Sequence, residues 1–147
     1  MGSKRKTLLA GALALLSVPA LAAETVEVFS TSGCGCCIGW IRHLEEAGFE
    51  VTNENLAMAD LHAKKTGAGL KPGQTSCHTG FVGGYVVEGH VPAAEVKRLL
   101  AERPDAAGLA VPDMPAGSPG MGTGDEPYEV LLVARDGTST VFARYPK

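Results

Sequence analysis

The chain has no surplus of basic charge. Thirteen Lys and Arg against sixteen Asp and Glu give a net charge of −3, which denies it the electrostatic footprint of a nucleic-acid-binding protein. It has no internal repeat, so no repeat architecture is in play. Its long apolar run, Leu8 to Ala22, falls short of the about 20 residues a spanning helix needs, and Pro19 breaks it. The run follows a basic stretch, Lys4, Arg5 and Lys6, and ends in Ala20-Leu21-Ala22, with small residues at −3 and −1. That pattern predicts a secretory signal peptide over residues 1–22, cut after Ala22; left uncut, it would be the chain's membrane tether. Cleavage would leave 125 residues and a net charge of about −6, enough for one domain with a real core over residues 23–147.

Cysteine is also scarce, but it is not scattered. Of four cysteines, three lie in Thr31-Ser32-Gly33-Cys34-Gly35-Cys36-Cys37 and the fourth is Cys77. Outside the cytoplasm an even number of cysteines defaults to disulfides unless something else occupies the thiols.

The pattern along the chain places these thiols. Glu24 to Ser30 alternates as a short strand. Cys37, Trp40, Ile41 and Leu44 then fall at i, i+3, i+4 and i+7, one face of an amphipathic helix that Gly48 stops, with Trp40 in the core. Phe49 to Thr52 reads as a second strand, and Asn55 as the cap of a helix over Leu56 to Thr66. Lys71 to Gln74 is loop. Thr79 to Val82, Gly83-Gly84 and Tyr85 to Glu88 read as a hairpin. Pro92 opens a helix that Pro104 ends. Five prolines and five glycines mark residues 104–127 as a long loop, a length usual for functional or disordered segments. Residues 128–145 form a second hairpin turning at Asp136-Gly137, which extends the sheet or covers an edge. The order β-α-β-α-β-β-α with an added C-terminal hairpin is an α/β, thioredoxin-like order with thiols at the first strand-to-helix turn. In that order the chain entering the third strand faces the cysteine turn, so Cys77 is expected beside Cys34, Cys36 and Cys37.

Three chemistries fit such a cluster. Structural disulfides are one: Cys34 with Cys37 is feasible and leaves Cys36 for Cys77, whereas neighbouring thiols pair poorly. Thiol–disulfide exchange is another, since Cys34-Gly35-Cys36-Cys37 contains a C-x-x-C at a helix N-terminus, although Cys36 would compete as a resolving thiol. Soft-metal binding is the third and is favoured. Thiolates with no carboxylate nearby in sequence select Cu(I), zinc or an iron–sulfur cluster, and zinc usually takes paired ligands from two separated knuckles. Bridging thiolates around two or more Cu(I) ions tolerate low coordination numbers and suit a crowded turn, so the expected site holds Cu(I) and is open to being multinuclear. His78 and His90 are secondary candidate ligands, His90 equally a loop or capping residue. His43 lies too far along the helix to share an ion with Cys36, and His62 reads as a solvated helix residue. Met114 and Met121, in the Pro/Gly loop, are further candidates because thioethers suit Cu(I); packing onto the core is the competing reading.

Taken together, five stretches resemble a known family. They are Cys34-Gly35-Cys36-Cys37, Ser76-Cys77-His78-Thr79, Val82-Gly83-Gly84-Tyr85, Glu88-Gly89-His90-Val91-Pro92, and Gly108-Leu109-Ala110-Val111-Pro112 leading to Met114 and Met121. The set is similar to the CopG-type periplasmic copper-resistance proteins over nearly the whole of residues 23–147. The linker Lys71 to Thr75 departs from that pattern; the ligand positions do not. The resemblance implies a thioredoxin-like fold, export to the periplasm, and copper held by Cys34, Cys36, Cys37 and Cys77. It also implies a role in copper tolerance, holding or redox-cycling copper before efflux, with a periplasmic copper chaperone or efflux component as partner. A thiol–disulfide oxidoreductase is the alternative.

Overall fold

The computed structural model describes residues 23–147; the expected signal peptide, 1–22, lies outside the described residues. No helix among them is long and apolar enough to cross a membrane. The chain is mixed α/β, with three α-helices and one seven-stranded sheet. β1 (Thr25–Ser30) leads into α1 (Gly35–Glu46), β2 (Glu50–Asn55), α2 (Met58–Gly67), β3 (Thr79–Val82) and β4 (Tyr85–Glu88). Then come α3 (Ala93–Glu102), β5 (Gly108–Ala110), β6 (Tyr128–Val133) and β7 (Ser139–Tyr145). The spatial order is β2-β1-β3-β4-β5-β6-β7, with β1–β2 and β4–β5 parallel and the other pairs antiparallel.

Two boundaries differ from the sequence expectation, each for a physical reason. β2 runs on to Asn55 because β1 templates it residue for residue, Ser30 opposite Asn55. It is an edge strand and largely exposed, so Thr52 to Asn55 can be polar and carry no hydrophobic alternation. Asn55 therefore does not cap α2; its side chain accepts a hydrogen bond from Ser30, and Ala57 stands at the helix start. Within the range expected to be loop, residues 108–110 form β5, which bridges β4 to β6. The C-terminal hairpin thus extends the sheet. Gly108 makes this pairing feasible, because a Cβ there would meet the Val86 carbonyl. The hairpin is fastened to α3 by Glu95, a buried carboxylate that accepts the Tyr145 hydroxyl at 2.7 Å and pairs with Lys147.

α1 and α3 bury Trp40, Leu44, Val96 and Leu99 against Val26, Val28, Val87 and Leu109 of the sheet. The Trp40 indole keeps its polar end satisfied by donating to the Val91 carbonyl at 2.8 Å. His43 has a separate task. Its Nε2 accepts the Ala93 N–H at 2.9 Å, satisfying a first-turn amide of α3 that Pro92 at the cap position cannot reach. Burial lowers its pKa from 6.5, against an opposing pull from Glu46. Only the neutral ring accepts, so this stabilisation is fully present above the unfolded-state pKa and is lost as pH falls through the lowered folded-state value. Urea denaturation should show stability declining below about pH 6.5, and His43→Ala should flatten that limb. An unchanged slope in the variant would remove His43 from this role.

Candidate metal centre

The sheet order brings the thiols together. β1 and β3 are antiparallel neighbours, with Phe29 opposite Thr79. The turn that leaves β1 therefore faces the segment that enters β3. Cys34 occupies the cap position of α1, Cys36 and Cys37 lie in its first turn, and no acidic residue shares that turn. Cys77 approaches from across the turn. All four sulfurs lie within 4.8 Å of one another. Cys36 Sγ is 3.4 Å from Cys34 Sγ and 3.7 Å from Cys77 Sγ, and Cys37 Sγ is 3.6 Å from Cys77 Sγ. Cys34 and Cys37 are joined as a disulfide, while Cys36 and Cys77 are free thiols. The unpaired amides and dipole of the helix start would offset part of the negative charge that thiolate ligands bring to a bound ion.

Two histidines complete the cup. His78 Nδ1 lies 3.3 Å and His90 Nε2 3.2 Å from Cys77 Sγ. His90 is held by its other nitrogen. Nδ1 is 2.7 Å from the Pro119 carbonyl, which can only accept, so the proton resides on Nδ1 and the Nε2 lone pair is turned toward Cys77. A backbone carbonyl fixing the far nitrogen is the usual support of a metal-binding imidazole. His78 is fully buried, lies against Trp40 with ring centroids 4.3 Å apart, and keeps Nε2 without a hydrogen-bond partner. An orphaned buried nitrogen is costly, and here it belongs to a residue already touching the thiols.

Burial keeps Cys77 and the two imidazoles neutral when no metal is bound. Burial, reinforced by neighbouring Cys36, pushes the Cys77 thiol up to about 12. Burial, then the nearby His90 and Lys65, pushes His78 down to about 3, and burial also lowers His90. Neutral imidazole is the ligating form, and a metal must displace the Cys77 proton to gain its thiolate. Sulfur and imidazole donors without a carboxylate oxygen suit a soft metal.

A network that the sequence reading overlooked stands behind Cys77. Glu88, fully buried at the end of β4, accepts the Ser76 N–H and the Thr79 hydroxyl, each at 2.7 Å, and pairs with the Lys65 ammonium. Lys65 also donates to Thr79 at 2.9 Å. The carboxylate thus grips both flanks of the Ser76-Cys77-His78-Thr79 segment. The available signal was Lys65 falling four residues after buried Leu61, on the inward face of α2.

The Pro/Gly segment that follows β5 lies across α1. A Cβ on Gly39 would stand 2.9 Å from the Gly120 Cα, and one on Gly120 would stand 2.5 Å from the Trp40 nitrogen. This glycine-to-glycine contact seats Pro119 where its carbonyl meets His90. Alanine is ordinarily about 1 kcal/mol better than glycine inside a helix, whereas overpacking costs about 1–3 kcal/mol. Gly39→Ala should therefore destabilise the protein in denaturant titrations; a gain in stability would mean the segment does not seat there. Met121 follows this contact and is half-buried. Met114, 49% exposed, borders a separate pocket with Asp113, Glu126 and Tyr128. His62 is exposed on α2.

Comparison with known proteins gives this arrangement relatives. Residues 74–121, which include Cys77, His78, His90 and the crossing segment, match a family described as protein of unknown function, DUF411. No curated protein matches the chain. A solved structure named copper resistance protein CopG, form 1, is 45% identical, with a TM-score of 0.79, covering 86% of this chain and 100% of that one. Form 2 is 46% identical, with a TM-score of 0.78, covering 85% of this chain and all of that one. At that identity over the full length of both structures, the chain belongs to the CopG copper-resistance protein family.

Proposed function

We propose that the protein binds copper as Cu(I) between Cys34, Cys36, Cys37 and Cys77, and serves copper resistance in the periplasm. The observation that carries this reading is the convergence of four sulfurs, from two distant segments, to within 4.8 Å. His90, with its Nε2 lone pair fixed toward Cys77, and His78, whose Nδ1 lies 3.3 Å from Cys77 Sγ, are additional donors to one or several copper ions. Met114 and Met121 are outer candidates. Reduction of the Cys34–Cys37 disulfide by a dithiol adds two electrons and two protons and yields four thiols. Copper then takes the place of the thiol protons, which pass to water. The parallel β1–α1–β2 unit, the antiparallel β3–β4 pair and α3 support a thioredoxin-like core within one domain, residues 23–147. The expected signal peptide supports export, and a copper chaperone or efflux component is the proposed partner.

A second reading has its own observation. The Cys34–Cys37 disulfide, with Cys36 Sγ 3.4 Å from Cys34, is also the arrangement of a thiol–disulfide oxidoreductase. The two are separated by assaying one preparation twice. Reduced, metal-free protein should take up at least one Cu(I) per chain under anaerobic titration and should reduce insulin disulfides no faster than a simple dithiol. Copper uptake below one per chain, together with rapid insulin reduction, would reverse the choice. Redox titration of the loaded protein then tests Cu(I)/Cu(II) cycling.

A further inference from the structure

The cup has a side approach. Met58 and His62 stand four residues apart on α2, hence on one face of the helix. They border a cleft of about 670 Å³ whose other walls include Ala59, Lys65, Thr75 and Ser76. Met58 is 69% exposed, a large apolar side chain left open to solvent. The cleft lies at the end of the sheet where the cysteines are. α2 begins just beyond Asn55, which is in register with Ser30, the residue from which the cysteine turn departs. Ser76, on the opposite wall, is bonded directly to Cys77, and its hydroxyl lies 4.0 Å from the Cys77 sulfur. In sheets with parallel strands, ligands are received at this carboxyl end.

The geometry points to a copper-receiving site formed by Met58 and His62, from which Cu(I) passes to Cys77 and Cys36. This rests on the copper reading of the cysteine cup. A thioether and an imidazole are donors that Cu(I) accepts. A thioether and an imidazole lone pair bring no negative charge to the ion, so they hold it less firmly than thiolates and release it inward. Among the described residues no carboxylate borders the cleft, which leaves calcium and magnesium without their preferred ligands. The cation among the lining residues, Lys65, is engaged by Glu88 and Thr79 and does not confront the incoming ion. The transfer is a ligand exchange. The Met58 sulfur and His62 nitrogen bonds to copper break, bonds to Cys77 and Cys36 sulfur form, each thiol gives its proton to water, and copper remains Cu(I).

The test mixes reduced protein with Cu(I) bis-bicinchoninate in a stopped-flow instrument and follows loss of the chelate's absorbance. The double variant Met58→Leu, His62→Asn should load about tenfold more slowly, a loss of the size that follows removal of a supporting ligand group. Its final copper count should equal that of the wild type. A second measurement uses protein whose Cys34–Cys37 disulfide is left intact and whose free Cys36 and Cys77 are alkylated, so that no thiol remains to hold copper. It should retain one weak Cu(I) site, and Met58→Leu, His62→Asn should abolish that site. Loading at the wild-type rate, or a residual site that survives the double change, would overturn the proposal. So would a lower final count, which would make the pair part of the storage site. Failure of the copper reading itself would show differently, as absence of uptake by the wild-type protein.

Discussion

Replacing Lys65 with methionine is expected to lower the free energy of unfolding by about 3–5 kcal/mol, the usual cost of stripping one partner from a buried ion pair. Both members are inside the protein: the Lys65 side chain is 8% exposed and that of Glu88 0%. Without the ammonium, the Glu88 carboxylate keeps only the Ser76 amide and the Thr79 hydroxyl, too little to offset its lost hydration. Replacing both residues, Lys65→Met with Glu88→Leu, should recover most of the loss, because the uncompensated charge goes as well. The double variant nevertheless loses the bonds that hold Ser76 and Thr79 on either side of Cys77. Its copper affinity should therefore fall by about ten- to hundredfold, as when a supporting partner of a metal ligand is removed. Chemical denaturation of the three variants, with chelator competition on the double variant, checks both halves. A Lys65→Met protein as stable as the wild type would refute the ion pair's part in the fold. A double variant with full affinity would confine the network to a structural role.

Cys77→Ser should have the largest effect on copper. Cys77 is within 3.7 Å of Cys36 and Cys37 and within 3.3 Å of both imidazoles, so the sulfur and nitrogen donors meet there. Exchanging its thiolate for a hydroxyl removes a soft charged ligand. Affinity should drop by more than about a hundredfold, beyond the range for supporting partners. Stability should change little, since the residue is half-buried and serine is close in shape. Cys36→Ser should behave alike. Competition against a chromophoric Cu(I) chelator reads these effects. Affinities within a few-fold of the wild type in both variants would remove Cys36 and Cys77 from the site.

Much of this centre was legible in the sequence because its cause is local. Cys34, Cys36 and Cys37 declare themselves by spacing, and the strand-helix alternation around them implies a chain order that turns Cys77 toward them. His90 was ambiguous because its role depends on Pro119, a carbonyl 29 residues away on a segment whose path no periodicity reveals. β5 escaped notice for a related reason. Three residues between β4 and β6 are too few for an alternating pattern, and the prolines and glycines around them speak for loop. Asn55 looked like a helix cap because its chemistry suits one; pairing of β2 with β1 overrode that propensity. Glu88 closes an otherwise apolar strand, and its value appears only when Lys65, 23 residues earlier, is found against it.

The proposed function depends on copper being held by the converged sulfurs. X-ray absorption at the copper edge, on reduced protein loaded anaerobically with Cu(I), tests it most directly. The first coordination shell should be dominated by sulfur, with a minor nitrogen component from imidazole, and the sulfur contribution should shrink in Cys36→Ser and Cys77→Ser. A shell of nitrogen and oxygen alone, or a sulfur shell indifferent to both substitutions, would contradict it.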